Sequence, residues 1–176
     1  GSSPIEQRRY LQFADRARDG QSERSLPYVE IWVLVARALM IEGGVGPAVL
    51  DARRAVEMAE GEPEIIGAAL AACARTHFFA GELDEAYGAA RRALEQPGME
   101  RRVPALAIAR ATLAFVDAER GRLTSARSHA EAAKAAVGGI GSSRSWLGAN
   151  ASAALGAVLA AEGNLPEAEH QLGHQR

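Results

Sequence analysis

Side chains able to do chemistry are sparse in this chain. His170 and His174 stand four residues apart, a spacing that lets two imidazoles on one helical face share a metal ion. No third ligand accompanies them and Gly173 weakens the helix between them, so no metal is expected. His77 and His129 are isolated. Cys73 is the single cysteine, so no disulfide can form within the chain. Without a paired base it reads as a small buried apolar residue and not as a nucleophile. Gly138 to Arg144 is glycine-rich and precedes a helix. A phosphate cradle needs a strand before such a loop and usually a lysine, and neither is present, so the stretch reads as a hinge. No paired carboxylates and no Ser-His-Asp order stand out. The chain is therefore expected to be no enzyme, with no catalytic residue, metal or cofactor.

Arginine and alanine recur in a pattern instead. Arg53-Arg54 and Arg91-Arg92 each follow a glycine, Gly43 or Gly81, by ten and eleven residues. Glu131-Ala132 takes that place after Gly121, so a basic ridge would stop there and a solvated outer face is expected. Gly43, Gly81, Gly121 and Gly163 lie 38, 40 and 42 residues apart. Seven residues before them stand Ala36, Ala74, Ala114 and Gly156, and five after them stand Ala48, Ala86, Ala126 and Ala168. Small residues on both sides of a short turn let two antiparallel helices approach to about 8–9 Å. A period near 40 residues is the mark of a stacked helical array.

The elements that carry this frame are all helical. Pro4–Arg18, with Ile5, Arg9, Phe13 and Ala17 on one face, reads as the trailing helix of a truncated repeat, within 4–19. Four pairs follow, over about 26–61, 63–97, 100–138 and 143–173. Their helices are expected over Pro27–Glu42 with Pro47–Glu60, Glu64–Ala80 with Leu83–Glu95, Arg101–Arg120 with Leu123–Val137, and Ser145–Glu162 with Pro166–Leu172. That makes one all-α domain over 4–176 with about nine helices and no strand. Gly1-Ser2-Ser3 reads as a cloning remnant, and the pattern starts and stops mid-repeat, as in a piece of a longer protein. Cutting an array bares apolar end faces, so Leu11, Phe13 and Leu172 point to weak self-association. The net charge is −2, which gives no bulk attraction to nucleic acid or an anionic membrane. No signal peptide or run of eighteen apolar residues is present, and a reducing, cytoplasmic setting is expected.

Small residue, glycine and alanine at these spacings resemble the tetratricopeptide repeat, and Trp32 stands eleven residues before Gly43, where that family often carries a tryptophan. The longer period and alanine-rich helices are most similar to the tetratricopeptide-like domains of MalT-like, LuxR-type ATP-dependent transcription regulators of bacteria. The resemblance implies a right-handed α-α superhelix. It also implies a sensor or interaction module that receives a small-molecule effector or a protein and helps control self-association. A nucleotide-binding domain would precede it and a helix-turn-helix domain follow, so this piece should neither hydrolyse ATP nor bind DNA. A general scaffold for a peptide or helix is the alternative. In such arrays the first helix of each pair lines the concave groove. Carried over from the glycines, that face holds Arg37, Met40, Arg75, Phe78, Phe79, Phe115, Glu119 and Asn150. Arg37 and Arg75, both six residues before a glycine, would then sit side by side as guanidinium forks for carboxylate or phosphate, beside a phenylalanine wall.

Overall fold

The computed structural model describes residues 26–139, 141 and 145–173. Among them are eight α-helices and no strand. They are α1 (Leu26–Met40), α2 (Val45–Met58), α3 (Ile66–Phe79), α4 (Leu83–Leu94), α5 (Val103–Glu119), α6 (Leu123–Gly139), α7 (Trp146–Ala161) and α8 (Leu165–Gly173). A 3-10 turn, Met99–Arg101, precedes α5, which begins at Val103 and not at the expected Arg101. The expected helix over Pro4–Arg18 lies outside the described residues, as do Leu11 and Phe13. The α6 helix runs on through Gly138 and Gly139, into the stretch that reads as a loop. None of the helices described is long and apolar enough to cross a membrane.

Each odd-numbered helix pairs with the even-numbered one that follows it. The first helices also pack on one another in chain order, α1 on α3, α3 on α5 and α5 on α7. The second helices α2, α4 and α6 are each wedged against the first helix of the next pair. Alanine makes this spacing possible. Ala86, Ala90 and Ala93 of α4, and Ala126, Ala130 and Ala133 of α6, follow helical periodicity and are fully buried. A stripe without side-chain bulk lets the backbones close together, and alanine costs the helix nothing in propensity. At Gly156 of α7 the approach is close enough that an added Cβ would meet Leu172 of α8 at 3.1 Å.

The glycine frame has a specific backbone cause. Gly81, Gly121 and Gly163 take φ of 77°, 69° and 80°, the left-handed region in which glycine has no Cβ penalty. In each case the glycine N–H bonds the carbonyl three residues back, and the next N–H bonds the carbonyl four residues before the glycine, as in Glu82 to His77 (2.9 Å) and Arg122 to Asp117 (2.8 Å). This Schellman closure satisfies the last carbonyls of the first helix and reverses the chain. The first pair departs from it. There Ile41 takes φ of 53°, and the same bonds run from Ile41 to Ala38 and from Glu42 to Arg37, each at 3.1 Å. Gly43 comes two residues later, inside the turn, so α1 ends at Met40 and not at Glu42.

Ala86 is fully buried where α4 meets α3. Ala86→Leu should lower stability by about 1–3 kcal/mol through overpacking. Urea denaturation checks this, and an unchanged midpoint would contradict the packing described.

Candidate functional site

The left-handed residue that caps each first helix (Ile41, Gly81, Gly121 or Gly163) fixes which side chains face where. Four residues before it stand Arg37, His77 and Asp117 in the first three pairs, and each turns to its own hairpin. Arg37 pairs with Asp51 of α2 at 3.1 Å and with Glu42 at 3.6 Å. His77, buried, donates from Nδ1 to Glu82. Asp117, 1% exposed, pairs with Arg122 at 2.5 Å and accepts from the Ser125 hydroxyl at 2.5 Å. His129 of α6 lies 4.0 Å from Asp117 and accepts from Arg110 at 3.1 Å. Burial and the neighbouring Arg110 hold the His129 imidazole below its ordinary pKa. Ser125, Asp117 and His129 make no nucleophile relay, because the hydroxyl bonds the carboxylate and not the imidazole.

Six residues before the cap stand Val35, Arg75 and Phe115, and two before it Leu39, Phe79 and Glu119. Arg37 therefore shares its register with His77 and Asp117, not with Arg75. The expected side-by-side arginines are absent because α1 caps two residues before Gly43. Arg75 instead donates to the Leu39 carbonyl of α1 at 2.5 Å. Its guanidinium carbon lies 4.7 Å from the Phe79 ring centroid and 5.0 Å from that of Trp146, at the start of α7. Phe78 stacks on Phe115 at 5.1 Å and meets Phe79 edge-on at 5.7 Å. No carboxylate among the described residues approaches Arg75, and its Nε is buried without an acceptor. Burial pushes its pKa down to about 10, so it stays a cation near neutral pH.

Beside this cluster lies an apolar cavity of about 310 Å³. Trp32, Val35 and Leu39 of α1 line one side, and Ala68 of α3 with Ala105 and Ile108 of α5 line the other. Exposed Glu64 and Pro104 and half-buried Arg102 complete it. Arg102 donates to the Pro97 carbonyl at 2.7 Å. Leu39 belongs to both features, lining the cavity and accepting from Arg75. The size is at the lower end of small-molecule pockets, and apolar walls with few polar groups are their usual make-up.

Of the residues expected in the groove, Arg75, Phe78, Phe79 and Phe115 come together. Arg37 points into its own hairpin. Half-buried Met40, exposed Glu119 and half-buried Asn150 join the cluster by no hydrogen bond, ion pair or ring contact among the described residues. Trp146, Val35 and Leu39 belong to the site and are not among the residues expected there. Counting from Ile41 would have found the last two; no periodic signal marks Trp146. Three of the four ridge arginines are ion-paired at the surface: Arg53 with Glu82 at 3.8 Å, Arg54 with Glu57 at 3.6 Å and Arg91 with Glu95 at 3.5 Å. No group of three metal-binding side chains occurs among the described residues, and His174 lies outside them. No protein-family model, curated protein or solved structure matches the chain.

Cys73 is buried, and desolvation, outweighing nearby Arg53 and Arg92, pushes its thiol up to about 11. The folded state therefore keeps the thiol protonated where an unfolded chain ionises. Its contribution to stability is present below the ordinary thiol pKa and is lost as pH rises toward about 11. Iodoacetamide at pH 8 should label Cys73 only after unfolding; rapid native labelling would refute its burial.

Proposed function

We propose that this chain is a non-catalytic binding module, a right-handed tetratricopeptide-like superhelix whose first helices form the binding groove. The observation that carries the reading is Arg75: a desolvated guanidinium with no carboxylate beside it among the described residues, in contact with two aromatic rings next to an apolar cavity. Burying a charge without a partner is costly, and a module that meets an anionic ligand there recovers that cost on binding. In the reading we favour, the module is cytoplasmic and is the sensor array of a larger bacterial transcription regulator of the MalT-like, LuxR type. This rests on the resemblance of its glycine and alanine frame. A general scaffold is the second reading, favoured by the 40% and 42% exposure of Tyr28 and Trp32, an aromatic face on α1 that could seat a partner helix.

Thermal melting against metabolites and against amphipathic peptides separates the two. A metabolite that raises Tm supports the sensor; a rise with peptides alone supports the scaffold. If neither raises Tm, the binding-module reading fails. The chain on its own should show no ATP hydrolysis and no sequence-specific DNA binding, and a positive result in either assay would contradict this assignment.

A further inference from the structure

We infer that the groove takes an amphiphilic monocarboxylate: one carboxylate on the edge of Arg75 and an apolar body in the cavity between α1, α3 and α5. The inference rests on reading that groove as the binding site.

The charge is set by what surrounds Arg75. The Phe79 and Trp146 ring centroids lie 4.7 Å and 5.0 Å from the guanidinium carbon, and no carboxylate among the described residues reaches its donors. One donor, on Nη1, is taken by Leu39; Nε has no acceptor and is sealed from solvent in the empty groove, so a ligand reaches it by turning the side chain outward. An edge with Nε–H and a neighbouring N–H is a fork for the two oxygens of a carboxylate. A doubly charged phosphate suits the site less. Arg102 is the other guanidinium at the groove, and it is tied to the Pro97 carbonyl. Glu64 adds a negative charge to the cavity lining. Arg102 keeps its charge and Glu64 offsets it, so with Arg75 the groove carries one net positive charge, which matches a single negative charge better than two.

The body is set by the cavity. Trp32, Val35, Leu39, Ala68 and Ile108 offer no hydrogen bond from their side chains beyond the indole N–H of Trp32. A polar ligand would lose its water there without replacement, so an alkyl or aryl body is favoured. Leu39 links the two parts, so a short amphiphile can reach both.

Trp32 and Trp146 are the only tryptophans of the chain, and both stand at the site. Intrinsic fluorescence therefore reads it without a label. The probes are 4-phenylbutyrate, the matched alcohol 4-phenylbutan-1-ol, and inorganic phosphate. The acid should bind about tenfold or more tightly than the alcohol, and phosphate should give no response. Arg75→Gln should abolish the preference for the acid while leaving alcohol binding in place. Arg75→Lys, which keeps the charge and loses the fork, should fall between and covers the case in which the glutamine variant misfolds. Ala68→Leu, which narrows the cavity, should weaken acid and alcohol alike. Equal binding of acid and alcohol would overturn the carboxylate but not the groove. Phosphate binding as tightly as the acid would overturn the apolar body. If no small probe responds while an amphipathic peptide does, the inference falls and the module reading stands; if nothing responds, both fall.

Discussion

The left-handed cap at the end of each first helix is the constraint on which the rest depends. Three of these caps are glycines, and each closes a Schellman pair of hydrogen bonds at one fixed point in the repeat. Once that point is set, helical geometry distributes the side chains around it. Residues four before the cap meet the hairpin partner, and the polar ones there find partners close by: Asp51 for Arg37, Glu82 for His77, Arg122 and Ser125 for Asp117. Residues six and two before it fall on the other face, where Val35 and Leu39 line the cavity and Arg75 meets Phe79 and Trp146. A cap moved by two residues turns the helix by about half a revolution relative to that rule, since a turn takes 3.6 residues.

That is why the first repeat is the least legible in the sequence. Glycine is the residue that takes positive φ cheaply, so the sequence points to Gly43 as the cap. The chain instead places Ile41 in the left-handed region, where an L-residue carries a penalty of roughly 1–2 kcal/mol. No local signal announces this; the Arg37–Asp51 pair and the apolar lining from Trp32, Val35 and Leu39 are tertiary consequences of it. In the second and third pairs, where glycine does cap, the same counting placed Arg75, Phe78, Phe79 and Phe115 within one cluster. The all-helical architecture was legible throughout, because alanine at three- and four-residue spacing has one structural use here: close helix contact. Trp146 was illegible for a different reason. It meets a side chain two helix pairs away, and repeat periodicity speaks only of matched positions.

Arg75 stands apart from the electrostatics of the rest of the molecule. Arg53, Arg54, Arg91 and Arg127 face carboxylates at the surface, where such pairs contribute little and remain hydrated. Arg120 and Arg122 lie on the Tyr87 ring and also reach Asp84 and Asp117. Arg75 has the aromatic contacts without the carboxylate. Cation–π attraction of about 0.5–2 kcal/mol per ring offsets part of its desolvation. The Leu39 carbonyl offsets more, and no full charge on the described protein residues completes the balance. A position filled only for packing would be served as well by leucine or methionine, without that desolvation. In the binding module we propose, the retained charge makes the groove less stable when empty and more selective when filled. In that module the arrangement would favour recognition over stability, on the face lined by α1, α3 and α5 beside Trp146 of α7.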